Sequence, residues 1–184
     1  MDRLIYEYPT TLQAYQSLTP GSKIQMHGLD THFDAFNLIK EMGITSLLPT
    51  ILYRCSSLLP EILKGAKRDD GSLAILESDD QLRCVEVFQM LCRLRVNMML
   101  EWIDPVDVPS RCRNVDCLDQ RLSLVVAHME EHQKVFQFSE AWPGNDRTAK
   151  LCQPRCRDRA KRTFELGQLV VWEGLLRLCR ILEN

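Results

Sequence analysis

The sequence predicts an all-α protein, a helical bundle followed by a helical pair, and three observations carry that prediction. Alternation of apolar and polar residues at period two never holds over a useful stretch. Apolar residues recur instead at three- and four-residue spacing. Glycine, proline and short polar clusters cut the chain where such runs should begin and end. At 184 residues, 45% apolar and 26% charged, the chain suits one domain, or a domain with a small appended subdomain. A chain of this size removes roughly 70% of its unfolded surface from water, so a real core is expected.

The elements follow in order. Pro9 with the capping candidates Thr10 and Thr11 opens a short helix within Tyr8 to Leu18. Pro20, Gly21 and Gly28 mark 19–29 as a loop. Asp30 or Thr31 caps a helix through Phe33, Phe36, Leu38 and Ile39, and Gly43 supplies the left-handed residue that ends it. Thr45 or Ser46 opens the next helix, with Leu48, Ile51, Leu52 and Cys55 inward. A short helix at Pro60 to Leu63 ends at Gly65, and KRDDGS is a polar turn. Ser78 with Gln81 has capping-box spacing and opens the longest helix, about 79–103. Its inward line is read as Val85, Phe88, Leu91, Cys92, Leu94, Met98, Met99 and Trp102. Pro105 and Pro109 break it. A helix is expected from about Asp116 to Phe138, a loop over 139–150, and a final helix from near Pro154 that Gly167 and Gly174 are placed to bend or interrupt. The break at 104–110 divides the chain into an N-terminal bundle (1–103) and a C-terminal helical subdomain (104–184).

Charge and targeting signals narrow the function classes. A net charge of −2 gives no general pull toward nucleic acid or membrane. No run reaches the roughly 18 apolar residues of a membrane helix, and MDRLIYEYPT lacks a signal-peptide core. The expected location is therefore cytoplasmic or nuclear, with no membrane partner. The eight cysteines are then expected to be reduced, as core thiols or metal ligands.

Four of them form the main candidate site. Cys112 and Cys117 are spaced C-x4-C, Cys152 and Cys156 C-x3-C, with 34 residues between the pairs. Residues five apart on one helix diverge by about 140°, so the first pair cannot face one ion from within a helix. Pro109 and Ser110 put Cys112 in a loop, while Asn114 or Asp116 starts a helix with Cys117 on its first turn. Cys152 likewise lies in a loop and Cys156 on the first turn after Pro154. Helix N-termini stabilise thiolates, and two such corners meeting would make a tetrahedral sulfur site for one structural zinc. The alternatives are four reduced thiols that happen to pair off, or one or two disulfides. Cys55, Cys84, Cys92 and Cys179 lie on apolar helical faces and are read as core residues.

Other signals carry less. His128, Glu131 and His132 spell the inverted zinc-peptidase motif, but interleaved with Gln133 and Lys134 they read as a polar stripe opposite Val125, Val126, Met129 and Phe136. Arg155, Arg157, Arg159, Lys161 and Arg162 are the one route to nucleic acid. They read better as charge compensation for thiolates, joined by Arg111 and Arg113, and as a solvated face. No glycine-rich phosphate loop, nucleophile elbow or carboxylate pair suggests catalysis.

Several blocks carry a resemblance: YPTTLQAY at 8–15, DAFNLIKEMGITSLLPTILYRC at 34–55, EILKG at 61–65, the pair in CRNVDC at 112–117, and LCQPRC with KRTFELGQLVVWEGL over 151–175. In this order they resemble the C-terminal, post-BTB region of the BTB/POZ proteins of mushroom-type fungi. The resemblance implies an all-helical region akin to the BACK helices of other BTB proteins. Such proteins act in dimerisation, as adaptors for cullin-type ubiquitin ligases, or in transcriptional control. Two departures stand out. The BTB domain is missing, since Met1 lies a few residues before YPTTL, so a truncated member or partial gene model is expected and dimerisation and ligase recruitment do not carry over. The usual proline near the last helix is replaced by Gly174.

The functional expectation is a non-enzymatic protein-interaction module, an adaptor or scaffold whose partner is a protein. The alternative is a zinc-stabilised nucleic-acid-binding or transcription-regulatory protein.

Overall fold

A computed structural model describes residues 2–18, 29–103, 114–130, 148, 151–152 and 155–182. The chain is mostly helical, as expected: α1 (Asp2–Glu7), α2 (Leu12–Gln16), α3 (Asp30–Glu41), a 3-10 turn (Thr45–Leu47), α4 (Leu48–Ser56), α5 (Leu59–Lys64), α6 (Ser78–Ile103), α7 (Val115–Glu130) and α8 (Arg155–Leu182). It divides into two compact units, Met1–Met90 with Trp172–Asn184, and Leu91–Val171. The expected break at 104–110 and the expected loop at 139–150, Thr148 apart, lie outside the described residues, as do the side chains of Met98, Met99 and Trp102.

In the first unit, local sequence sets the helix ends. Thr11 caps α2 by accepting the Ala14 N–H at its hydroxyl. Gly43, at φ +66°, closes α3: its N–H donates to Lys40 O and the Ile44 N–H to Ile39 O, the paired bonds of a Schellman end. Asp30 stands inside α3 and Leu29 at its cap position, without a side-chain bond. The helix opening at Thr45 begins as a 3-10 turn and becomes α4, with Pro49 in its first turn.

Two additions to the expected helices are α1, which precedes the first expected helix, and a small antiparallel hairpin, β1 (Ala66–Lys67) and β2 (Leu73–Ala74), with Ala66 opposite Ala74. The polar turn KRDDGS joins its strands. Arg68 N–H donates to Ser72 O, and Gly71 takes φ +84°, the three-residue hairpin loop with a left-handed third position. Strands of two residues leave no periodicity to read in a sequence. Tertiary bonds hold the pair: Arg68 grips Asp34 of α3 through two N–H groups, at 2.6 and 2.9 Å, and Asn37 Nδ2 donates to Ile75 O.

The core of this unit gathers Tyr8, Phe33, Phe36, Ile39, Leu47, Ile51, Ile62 and Leu76. Tyr15 meets Tyr53 edge-on at 5.6 Å and Trp172 at 5.9 Å, with the Arg54 guanidinium 5.0 Å from its ring centre. Thr50 donates to Pro9 O, so the segment after Tyr8 is bonded directly to α4.

On α6 the fully buried line is Asp80, Cys84, Val87 and Leu91. This corrects the expected stripe by about one residue: Val85, Phe88, Cys92 and Leu94 are only half-buried. The register is fixed by a charge, since Asp80 is fully buried and accepts from Lys40 Nζ at 2.6 Å and from Arg83 Nη1 at 3.3 Å. Gln81 closes the helix start by donating from Nε2 to Leu76 O. Gly167 and Gly174 do not interrupt α8, which is continuous over Arg155–Leu182.

Two predictions follow from these charges. Lys40 and Arg83 keep about a third of their side-chain surface exposed, whereas Asp80 keeps none. Removing Lys40 therefore leaves the buried ion with only its longer contact to Arg83, while neutralising the anion frees a lysine that can turn to Glu77, at 3.1 Å, and to water. Lys40→Met should cost about 3 kcal/mol and Asp80→Asn about half of that in urea denaturation.

The second concerns His32, whose Nδ1 lies 2.9 Å from the Tyr8 hydroxyl. Burial, then the Arg54 charge, lowers its pKa from 6.5 to about 4. The unfolded chain takes up a proton first as pH falls, so the contribution of neutral His32 is intact above pH 6.5 and is lost progressively toward pH 4. In His32→Gln, the denaturation midpoint should fall less steeply across that window than in the parent chain.

Candidate metal centre

Asn114 begins the site by capping α7. Its Oδ1 accepts the Cys117 N–H at 3.1 Å and its carbonyl accepts the Leu118 N–H, so Cys117 sits three residues into the helix, among amides that helical bonding leaves unsatisfied. The second corner is similar. Cys152 precedes α8, and its carbonyl accepts the N–H groups of Cys156 at 2.9 Å and Arg157 at 3.2 Å. That places Cys156 in the first turn of α8.

The two corners meet. The sulfurs of Cys117, Cys152 and Cys156 all lie within 4.8 Å of one another, and the Cys152 N–H donates to Cys117 Sγ at 3.4 Å. Cys117 and Cys156 are buried and Cys152 is half-buried, against Leu124, Leu151, Ala160 and Phe164. Tetrahedral zinc–sulfur bonds of about 2.3 Å put ligand sulfurs about 3.8 Å apart. Contraction of the triangle by up to about 1 Å brings it to that size. Three soft donors this close together suit a zinc-type ion. None of the seven described cysteines is disulfide-bonded.

Three of the four candidate ligands are thus together, and Cys112 lies outside the described residues. Of the flanking cations, Arg111 and Arg113 lie outside them too, as does the Arg155 side chain. Arg157 is half-buried, while Arg159, Lys161 and Arg162 are exposed. Cys55, Cys84 and Cys179 are core residues as expected; Cys92 is only half-buried. The described part of α7 ends at Glu130, so Glu131 and His132 lie outside the described residues, as does the His128 side chain.

One buried residue of α7 was not singled out from sequence. Arg121 lies one turn beyond Cys117 on α7 and is only 5% exposed. It has no hydrogen bond or ion pair with the described residues. Cys117, Arg121 and Leu124, at i, i+4 and i+7, form the buried line of α7. The expected inward residue Val126 is exposed, as is Leu122. A spacing of four from a candidate ligand was the available signal, but arginine in a long helix usually faces water.

Comparisons with protein-family models, curated proteins and solved structures gave no match.

Proposed function

We propose that this chain is a non-enzymatic protein-interaction module related to the helical post-BTB region of fungal BTB/POZ proteins, with one structural zinc in its second compact unit. The observation that carries the interaction reading is on α8. Leu166, Leu169 and Val170 stand about half exposed or more, at 61, 49 and 53%. Their spacing puts them on one helical face, with Phe164, Gln168 and Val171 buried on the other side. Apolar residues gathered on one exposed face support the reading of a surface for a protein partner.

The reading is tested with a protein partner captured from native extract, purified and titrated against the chain. Leu166→Asp combined with Val170→Asp should weaken binding at least tenfold while leaving the melting temperature near that of the parent. Affinity unchanged in that variant would remove the ridge from the interface. If oligonucleotides bind instead, with a steep salt slope that flattens in Arg159→Ala and Arg162→Ala, the nucleic-acid alternative replaces it.

The zinc is proposed on Cys117, Cys152 and Cys156, with Cys112 as the fourth ligand from its spacing. Four protein sulfurs would close the coordination sphere and leave no position for substrate. Purified protein should hold one equivalent of zinc, lost in Cys117→Ser, Cys152→Ser or Cys156→Ser. Cys84→Ala should keep the metal and cost about 1 kcal/mol as a small cavity. Chelation should raise hydrogen exchange across 114–130 and 151–171 and leave the protection of 30–56 unchanged, because binding energy in such sites is largely local folding energy.

A further inference from the structure

Arg121 presents an electrostatic problem that the described residues do not solve. Guanidinium stays protonated at any pH a protein survives, so it cannot escape burial by neutralising. At 5% exposure it is cut off from water, without a hydrogen-bonding or ionic partner among the described residues. A buried ion of this kind needs an opposite charge nearby. Side chains on a helix lean toward its N-terminus, which directs Arg121 back over the turn that carries Cys117. Three thiols carry no charge. Three thiolates around a divalent ion carry one net negative charge, and four carry two.

We propose that Arg121 is the counter-charge of a metal–thiolate centre at Cys117, Cys152 and Cys156. The guanidinium favours the anionic sulfur complex over the metal-free thiols, and it makes the site selective for a thiophilic divalent ion held entirely as thiolates. This rests on the zinc reading above and adds a residue and a charge state to it. It also inverts the role of Arg121 between states: destabilising without metal, stabilising with it. A residue that only filled space would act in one direction in both.

The test uses the full chain under reducing conditions, in metal-free and zinc-loaded forms, with Arg121→Met and Arg121→Lys. Zinc affinity is read by competition with a chromophoric chelator, and ligand identity by the sulfur-to-metal charge-transfer band of the cobalt(II) form. Arg121→Met should keep one equivalent of metal and the same cobalt band, bind zinc at least tenfold more weakly, and melt no lower than the parent when metal-free. Arg121→Lys should recover most of the affinity. Equal zinc affinity in parent and Arg121→Met would overturn the proposal, as would a metal-free Arg121→Met that melts well below the parent. Arg121→Lys binding as weakly as Arg121→Met would also overturn it, because the charge would then not be what matters. A parent chain that takes up no zinc or cobalt fails the metal reading itself, a result distinct from those three.

Discussion

The buried carboxylate of Asp80 is the constraint around which the first unit is arranged. An ion with no access to water must be met by cations of fixed position, and here Lys40 comes from α3 and Arg83 from the next turn of α6. That pairing fixes where α6 starts and which of its faces turns inward, so the line Asp80, Cys84, Val87 and Leu91 is buried rather than the more apolar line beside it. The hairpin is subject to α3 in the same way, through Asp34 and Asn37. Charge sets the register, and apolar packing fills what it leaves. The carboxylate also sits in the first turn of its helix, where the backbone dipole favours an anion.

Among the described residues of the long helices, Asp80 and Arg121 are the two most deeply buried charged side chains, and their situations are opposite. Asp80 has two cations within hydrogen-bonding reach. Arg121 has none of the described acids, yet shares its face of α7 with a cysteine that lies in a triangle of sulfurs. If the sulfurs are thiolates around a metal, both ions obey the same rule. The contrast gives the metal reading a physical motive beyond the closeness of three cysteines.

Helix existence was legible in the sequence because its signals are local. Thr11, Gly43, Gly65 and the prolines act on their own backbone, and the helices near them begin and end within a residue or two of expectation. The loop-to-helix setting of Cys117, Cys152 and Cys156 could be read for the same reason: Asn114 is a capping residue wherever it stands. What could not be read was which face of α6 and α7 turns inward. On both helices the apolar residues form more than one plausible stripe, and the choice was made by Asp80 and by the Cys117–Arg121–Leu124 line. Such choices depend on partners distant in the chain. The hairpin escaped for a related reason, since it exists through Arg68 on Asp34 and not through any preference of its four strand residues.

The seven described cysteines divide by environment more than by sequence context, and the division says which can serve a metal. Cys55 is fully buried, with its thiol donating to His32 O, and burial followed by its contact with Cys84 pushes its thiol well up. A site that favours the protonated thiol resists a metal, which requires the thiolate. Cys117 and Cys156 are also hidden from water but sit in the first turns of long helices, where the backbone dipole favours negative charge. The Cys152 N–H donates to Cys117 Sγ. Burial alone makes a cysteine part of the core. Burial beside a backbone N–H donor and two other sulfurs sets Cys117 apart from such a core thiol, and that difference is what the proposed metal site draws on.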